Sequence, residues 1–365
     1  MLKDRKPLPS RLPFLDWTRG FAAVVMLQGH AFHAFARRDL RDGSAYNLSQ
    51  FVGGMPPAIF LFLTGITFAF LMESKARKGA TAWLRVLAAL RRSAYLFGIA
   101  FLFRLQLWTF ALGESPWSDL FIVDILNSMG FAMLVMSPMA VFTARDRARL
   151  GIVLGALIAA AAPVISQLDW NGVHPFLRYY LVPDPRYFGF FPWAAFLAFG
   201  LSAGSILRLT SADQLSKVVQ WGAMAGIVLI AGGQYFSGIP YSLYERSEFW
   251  VNSPGLVSIK LGVVLLISAF AYLWMQSYPP QKWSWVAQLG TTSLIVYWVH
   301  VELVYGRWLY AWRENLSVAE TTAAAVGLIA LMLALSLVQT RLKGRGFGLR
   351  MPWQPRPLPE SAAGD

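Results

Sequence analysis

The sequence contains no cysteine, which excludes disulfide scaffolds, thiolate nucleophiles and thiolate-held metals. Histidine is scarce, with four in 365 residues, and charged residues make up only 14%. Acids are the rarer sign: 19 Asp and Glu stand against 32 Lys and Arg. A chain so poor in charge, 56% hydrophobic and with a mean hydropathy of +0.48, is too apolar for a soluble domain. The pI near 10.1 would suit a nucleic-acid partner. Nucleic acid is not expected, because the cations gather in alternate loops between apolar runs, which is how membrane proteins set their orientation. No cleavable signal peptide is expected either. The opening MLKDRKPLPSRLP is basic and polar, and the apolar run behind it has no small-residue cleavage site.

What the chain does have is a series of long apolar runs. The expected fold is an all-α integral membrane protein, about ten transmembrane helices in one bundle, both termini cytoplasmic. The spans fall near residues 14–36, 51–72, 86–111, 118–142, 150–167, 188–208, 217–236, 255–276, 285–306 and 318–340. With the N-terminus inside, twenty-one Lys and Arg fall in cytoplasmic segments and eight in outside loops, while Arg19, Arg104 and Lys260 lie within spans. The domain organisation is then a cytoplasmic segment (1–13), a transmembrane domain (14–340) and a cytoplasmic basic, Pro-rich tail (341–365) with a disordered composition. Two outside loops, 169–187 and 237–254, mix aromatics, Pro, Asn and charges; that composition suits an interface belt, and also a carbohydrate-binding rim.

The first span carries residues that a membrane span does not normally carry. DWTRGFAAVVMLQGHAFHAF holds Asp16, Arg19, His30 and His33. Eleven steps of about 100° bring Arg19 and His30 onto one helical face, roughly 16 Å apart along the axis. His33 is one turn beyond His30. One end of this helix offers a fixed cation and the other an imidazole able to exchange protons near neutral pH. His30 suits a general base for an acceptor hydroxyl or amine, or a nucleophile that is transiently acylated. His33 also suits an interfacial position.

In the expected topology His300 reaches a similar outer depth from the ninth span. Asp124 and Asn127 reach it from the fourth. Asp124 could orient an imidazole, and both it and Asn127 suit helix–helix hydrogen bonds equally. Nothing has the spacing of a metal motif, so no metal is expected. At the inner end Arg19, Arg85, Arg91 and Arg92 suit phosphates, while the last three also suit positive-inside anchors. Thr64–Gly65 and the Gly200/Gly204 pair behind Pro192 read as close helix packing.

These motifs resemble a known superfamily. DWTRGFAAVVMLQGH resembles the Arg–His signature of acyltransferase family 3, IFLFLTGITFAF its second span, Arg91–Arg92 its arginine pair, and LGTTSLIVYWVH its late histidine motif. The opening DWTRG, the frame around Asp124 and YFGFFPWAAFLAFGLSAG are similar to bacterial members of the heparan-alpha-glucosaminide N-acetyltransferase catalytic domain family. The resemblance implies a ten-helix core that takes acyl-CoA, acetyl-CoA foremost, from the cytoplasm. It passes the acyl group to a hydroxyl or amine of an extracytoplasmic carbohydrate or glycolipid. The catalytic candidates are His30, His300, Asp124 and His33, and the donor-binding candidates are Arg19, Arg91, Arg92 and Arg85. A bacterial inner membrane is the expected location, and a homodimer is left open. The alternatives are a transporter or flippase for a lipid-linked or small anionic molecule, to which intramembrane Arg and His also point, and a structural membrane subunit.

Overall fold

The computed structural model describes residues 8–9, 11–111, 115–241, 243–277 and 283–344. Lys3, Arg5, Lys6, Lys282 and residues 345–365, on which the charge count and the tail reading partly rest, lie outside them. The chain is helical throughout the described residues, with two isolated β-bridges and no longer strand. The helices are α1 (Pro13–Phe35), α2 (Ser44–Gly53), α3 (Pro56–Arg77), α4 (Ala82–Phe110), α5 (Ile125–Met136) and α6 (Ala144–Gln167). They continue with α7 (Pro175–Leu181), α8 (Phe190–Leu209), α9 (Leu215–Gly238), α10 (Pro254–Ser277), α11 (Trp285–Thr291), α12 (Ser293–Tyr305) and α13 (Val318–Gly344).

Local chemistry explains where they start. Pro13 and Pro56 occupy first-turn positions that need no N–H donor. Thr81 and Thr143 cap α4 and α6 by accepting from Leu84 N at 3.4 Å and Asp146 N at 3.3 Å.

Among the described residues seven helical stretches are long and apolar enough to cross a membrane, and Ile125–Val141 and Ser293–Tyr305 are shorter apolar helices. The chain is thus a multi-pass, all-α membrane bundle. Three expected spans are not single helices. The second is preceded by α2 and broken at Gly54, because Pro56 can only open a new helix. The fourth is interrupted at Asp124, which adopts an extended backbone and takes the N-cap of α5. The ninth is split at Thr292 into α11 and α12. There the hydroxyls of Thr292 and Ser336 lie 2.5 Å apart, tying the break to α13.

Between lipid-immersed helices apolar burial supplies little drive, so close backbone packing carries association. A methyl group added to Gly65 would lie 2.1 Å from Leu197 O, and one on Gly200 would lie 1.9 Å from Phe62 O. These glycines lock α3 onto α8, as the small-residue spacing suggested. A second crossing joins α1 to α11: a Cβ on Gly20 would meet Val286 O at 1.7 Å, and one on Gly290 would meet Asp16 O at 1.9 Å. α1 also packs on α2, α3, α10, α12 and α13, so it runs through the centre of the bundle. Its Ala23, Leu27, Ala31 and Phe35 belong to a buried cluster shared with α11, α12 and α13. Asp16, Arg19, Gln28 and His30 are its half-buried polar positions.

Candidate active site

At one end of the bundle α1 and α12 bring two histidines together. His30 Nδ1 lies 2.9 Å from His300 Nε2. The rings are stacked with centroids 5.1 Å apart. His300 is fully buried and its Nδ1 lies 2.8 Å from Val296 O, one turn back on its own helix. A carbonyl oxygen only accepts, so His300 Nδ1 carries a proton and donates it to Val296 O. In the neutral ring His300 Nε2 then holds the lone pair and accepts from His30 Nδ1–H. That leaves the lone pair of His30 on Nε2, which has no hydrogen-bond partner among the described residues. The result is one imidazole with its basic nitrogen free and a second imidazole behind it, anchored to backbone.

Aromatic side chains wall this pair. The Tyr305 ring stands edge-on to His30 at 5.4 Å, and Tyr297 stands edge-on to His300 at 5.8 Å. The Tyr305 hydroxyl lies 3.1 Å from His33 Nδ1. His33 is exposed, and its carbonyl accepts from Arg41 at 3.1 Å. The turn leading into Leu316 crosses the same end: Leu316 N and Asn315 N donate to Phe35 O, and Glu314 takes Arg38 at 2.6 Å and Arg41 at 3.1 Å. Glu314 keeps a carboxylate pKa below its usual value, chiefly because Arg38 hydrogen-bonds it.

Asp124 takes a different set of partners. Its Oδ1 accepts from Leu126 N and Asn127 N at 3.0 Å each, and its Oδ2 lies 3.3 Å from Arg104 Nε. Among the described residues its recorded contacts go to these groups and not to a histidine. Asn127 donates to Ile122 O at 3.2 Å, across the break before α5. Sequence reasoning placed Arg104 inside a span without assigning it a partner. An intramembrane charge is itself a signal that a counter-charge lies near, and Asp124 is that counter-charge. It also passed over Gln106, whose amide reaches Glu302 on α12 at 3.4 Å and accepts from the Trp298 indole. Tyr305 was likewise missed, since a tyrosine near a membrane interface carries no distinctive sequence signal.

At the opposite end, Arg19 Nη1 lies 3.3 Å from Asp16 Oδ1, and Asp16 Oδ2 takes Arg11 Nε at 2.6 Å. Arg11 and Arg92 both lie within electrostatic reach of Arg19. Arg92 sits over the Tyr95 ring at 5.2 Å, and Arg91 beside it is exposed. Arg85 belongs to a different group. It donates to Val141 O at 3.2 Å, near the buried Arg147, which pairs with Glu73 at 3.3 Å and donates to Phe142 O at 2.7 Å. Arg11 and Arg19 share the Asp16 carboxylate and Arg92 lies near Arg19, a set of guanidinium groups that suits a ligand with several phosphates. No group of three His, Asp or Glu able to hold a metal occurs among the described residues.

The chain is thus a polytopic bundle with a histidine pair at one end and clustered arginines at the other. The catalytic family of heparan-alpha-glucosaminide N-acetyltransferase matches residues 11–235, well over half of the chain, and the chain belongs to that family. It is therefore a membrane acyltransferase that works through acyl-CoA chemistry. No curated protein matches the chain significantly. The matched region holds Arg19, His30, Arg92 and Asp124; His300 lies beyond it.

Proposed function

We propose that the chain moves an acyl group, acetyl foremost, from cytoplasmic acyl-CoA to a hydroxyl or amine of an extracytoplasmic glycan or glycolipid, with Arg19 and His30 at the two ends of one reaction path. The carrying observation is the hydrogen-bond chain Val296 O–His300–His30, which leaves His30 Nε2 as a free base on the same helical face as Arg19. Arg19 and Arg92, with Arg91 close by, hold the donor phosphates. The pantetheine arm runs along α1 over a rise of roughly 16 Å. His30 Nε2 takes the proton from the acceptor O–H or N–H as that atom attacks the thioester carbonyl. The new C–O or C–N bond forms, the C–S bond breaks, and the CoA sulfur leaves as thiolate and takes the proton that His30 had accepted, which restores the base. His300 Nε2 accepts from His30 Nδ1–H throughout and favours the charged imidazolium. The family's printed name favours a glucosamine-type amine, while the exposed aromatics of the outer loops suit sugars more broadly.

In this reading residues 14–340 form one transmembrane domain of ten crossings. Six of them are α1, α4, α6, α9, α10 and α13; α3, α8, the α5 region and the paired α11–α12 supply the others. Segments 1–13 and 341–365 are cytoplasmic, and the enzyme resides in a bacterial inner membrane. The cation bias between alternate loops supports that sidedness. One observation favours transport instead: the α11–α12 crossing is interrupted, as substrate-binding helices of transporters often are.

The deciding experiment is acetyl-CoA binding and turnover by purified protein, with His30→Ala and Arg19→Ala beside the wild type. The expected result is binding with turnover in the wild type, binding without turnover in His30→Ala, and weakened binding in Arg19→Ala. A wild type without affinity for CoA removes the donor and favours the transporter.

A further inference from the structure

An amine acceptor has two protons to lose, and the path through His30 accounts for one. Near pH 7 an amine of the α-amino kind, with a pKa of about 7.7–8.0, arrives mostly as ammonium and has no lone pair for attack. One proton must leave before the reaction starts. The second leaves as the C–N bond forms, passing to His30 and on to the CoA sulfur. A hydroxyl acceptor carries no such excess proton. The first proton of an amine therefore needs a taker of its own.

His33 and Tyr305 stand beside His30 with the chemistry of such a taker. His33 lies one turn beyond His30 on α1 and is exposed. Its Nδ1 lies 3.1 Å from the Tyr305 hydroxyl. Tyr305, half-buried at the end of α12, spans the two imidazoles: its ring centroid is 5.4 Å from that of His30 and 5.9 Å from that of His33. Its backbone is held in place, because Arg313 donates to the carbonyls of Tyr305 and Gly306. The charged and titratable groups around the pair are Arg41 and Glu314 beside His33, with Arg38 on Glu314, and Tyr46 and Arg313 beside Tyr305. Anchoring α12 to α1 is a structural use of the bond between His33 and Tyr305. That use needs an acceptor at position 33, which glutamine also supplies. It does not need a nitrogen that takes and releases protons near neutral pH.

We propose that Tyr305 and His33 carry the first proton of an amine acceptor out of the site. The acceptor ammonium donates to the Tyr305 oxygen while Tyr305 O–H passes its own proton to His33 Nδ1. The imidazolium then releases one proton from its exposed edge to solution. One N–H bond of the ammonium breaks, tyrosine ends neutral, and the nitrogen keeps the lone pair with which it attacks the thioester. Tyr305 is then a catalytic residue, and His33 is a relay that acts through it. The assignment rests on the acyl-transfer reading and adds that the acceptor is an amine.

The test is acetylation of glucosamine by the purified full-length protein, with kcat followed from about pH 6 to about pH 9. In His33→Gln and Tyr305→Phe only amine that enters uncharged reacts. Near pH 6.7, one unit below a pKa of about 7.7, roughly a tenth of the amine is free. There kcat should be roughly tenfold below the wild type, and the loss should vanish by about pH 9. Added imidazole should restore His33→Ala and leave Tyr305→Phe unchanged. Acetyl-CoA affinity equal to the wild type shows that each variant is folded. Wild-type kcat in His33→Gln, a loss that is the same at every pH, or no effect of imidazole on His33→Ala would overturn the relay. So would a wild type that binds acetyl-CoA but acetylates no amine. A wild type without affinity for acetyl-CoA overturns the acyl-transfer reading itself, and the relay with it.

Discussion

His300 Nε2 lies 2.9 Å from His30 Nδ1, and Val296 O at 2.8 Å fixes which nitrogen of His300 carries the proton. The pairing joins residues 270 positions apart. In the proposed mechanism this makes His300 a positioning residue, acting on substrate only through His30. Glutamine offers a carbonyl oxygen that can accept from His30 Nδ1–H, and leucine offers nothing. His300→Gln should therefore retain much more turnover than His300→Leu. The expected losses are about tenfold for Gln and about a hundredfold or more for Leu. Acetyl-CoA affinity should stay unchanged in both, which separates loss of the base from loss of the fold. Equal losses in the two variants would remove His300 from the catalytic path.

Arg19 should act on the donor's phosphates and not on its thioester. Removing one charged hydrogen-bond partner costs about 1.5–3 kcal/mol, or tenfold and upward in affinity. Arg19→Ala should weaken acetyl-CoA by that factor. It should leave acetyl-pantetheine, which has no phosphate, almost unaffected. Isothermal titration of both donors against wild type and variant measures the difference. The same loss with both donors would mean that Arg19 supports the helix through Asp16 instead.

The long apolar helices and the unusual charge of α1, which is not among the seven long apolar stretches, were readable because both are local. Membrane length is set by a run of residues, and Arg19 and His30 share a face by helical geometry alone. The breaks were not readable in the same way. Asp124 and Thr292 sit inside apolar runs, and what stops the helix is an N-cap at one site and a hydroxyl contact with Ser336 on a distant helix at the other. The equal depth of His30 and His300 followed from alternating spans. Their contact depends on α1 and α12 being neighbours, which no periodicity encodes. Arg85 and Arg92 look alike in sequence, about two turns apart on α4. They separate in space because Arg85 turns to the carbonyl of Val141 and Arg92 lies near Arg19.

The backbone crossings make a stability contrast. Gly20 admits no side chain, since a Cβ there meets Val286 O at 1.7 Å, whereas a Cβ on Gly98 in α4 meets nothing within 4 Å. Gly20→Ala should lower stability by about 1–3 kcal/mol or prevent assembly. Gly98→Ala should leave it unchanged or raise it by about 0.5–1 kcal/mol, because alanine is the better helix former. Thermal unfolding of the two purified variants is sufficient. A neutral Gly20→Ala would show that α1 and α11 do not pack this closely.

Asp124 should prove more important to the fold than to the chemistry. Asparagine preserves an acceptor for Leu126 N and Asn127 N, so the cap survives in Asp124→Asn while Arg104 loses its counter-charge. Breaking a buried pair from one side costs about 3–5 kcal/mol. The double variant Asp124→Asn with Arg104→Gln removes both charges and should recover part of that loss. Unfolding temperatures report the recovery, and kcat at a temperature where all variants are folded reports the chemistry. A fall in kcat in Asp124→Asn that the double variant does not relieve would return Asp124 to the reaction.

The segment around Glu314 should loosen in acid. Arg38 hydrogen-bonds the carboxylate and Arg41 adds a second cation, so Glu314 titrates below its usual value of 4.5 in the folded chain. A group with a depressed folded pKa stabilises the fold above its unfolded pKa, and that contribution is lost as pH falls through the folded value. The contacts of Glu314 are therefore complete at pH 7 and weaken below about pH 4.5. They hold down the segment that pairs with Phe35 beside His33. Limited proteolysis in this segment should rise on going from pH 7 to pH 4 in the wild type. In Glu314→Gln it should already be high at pH 7 and change little. Cleavage that rises equally in both proteins would assign the acid sensitivity to another group.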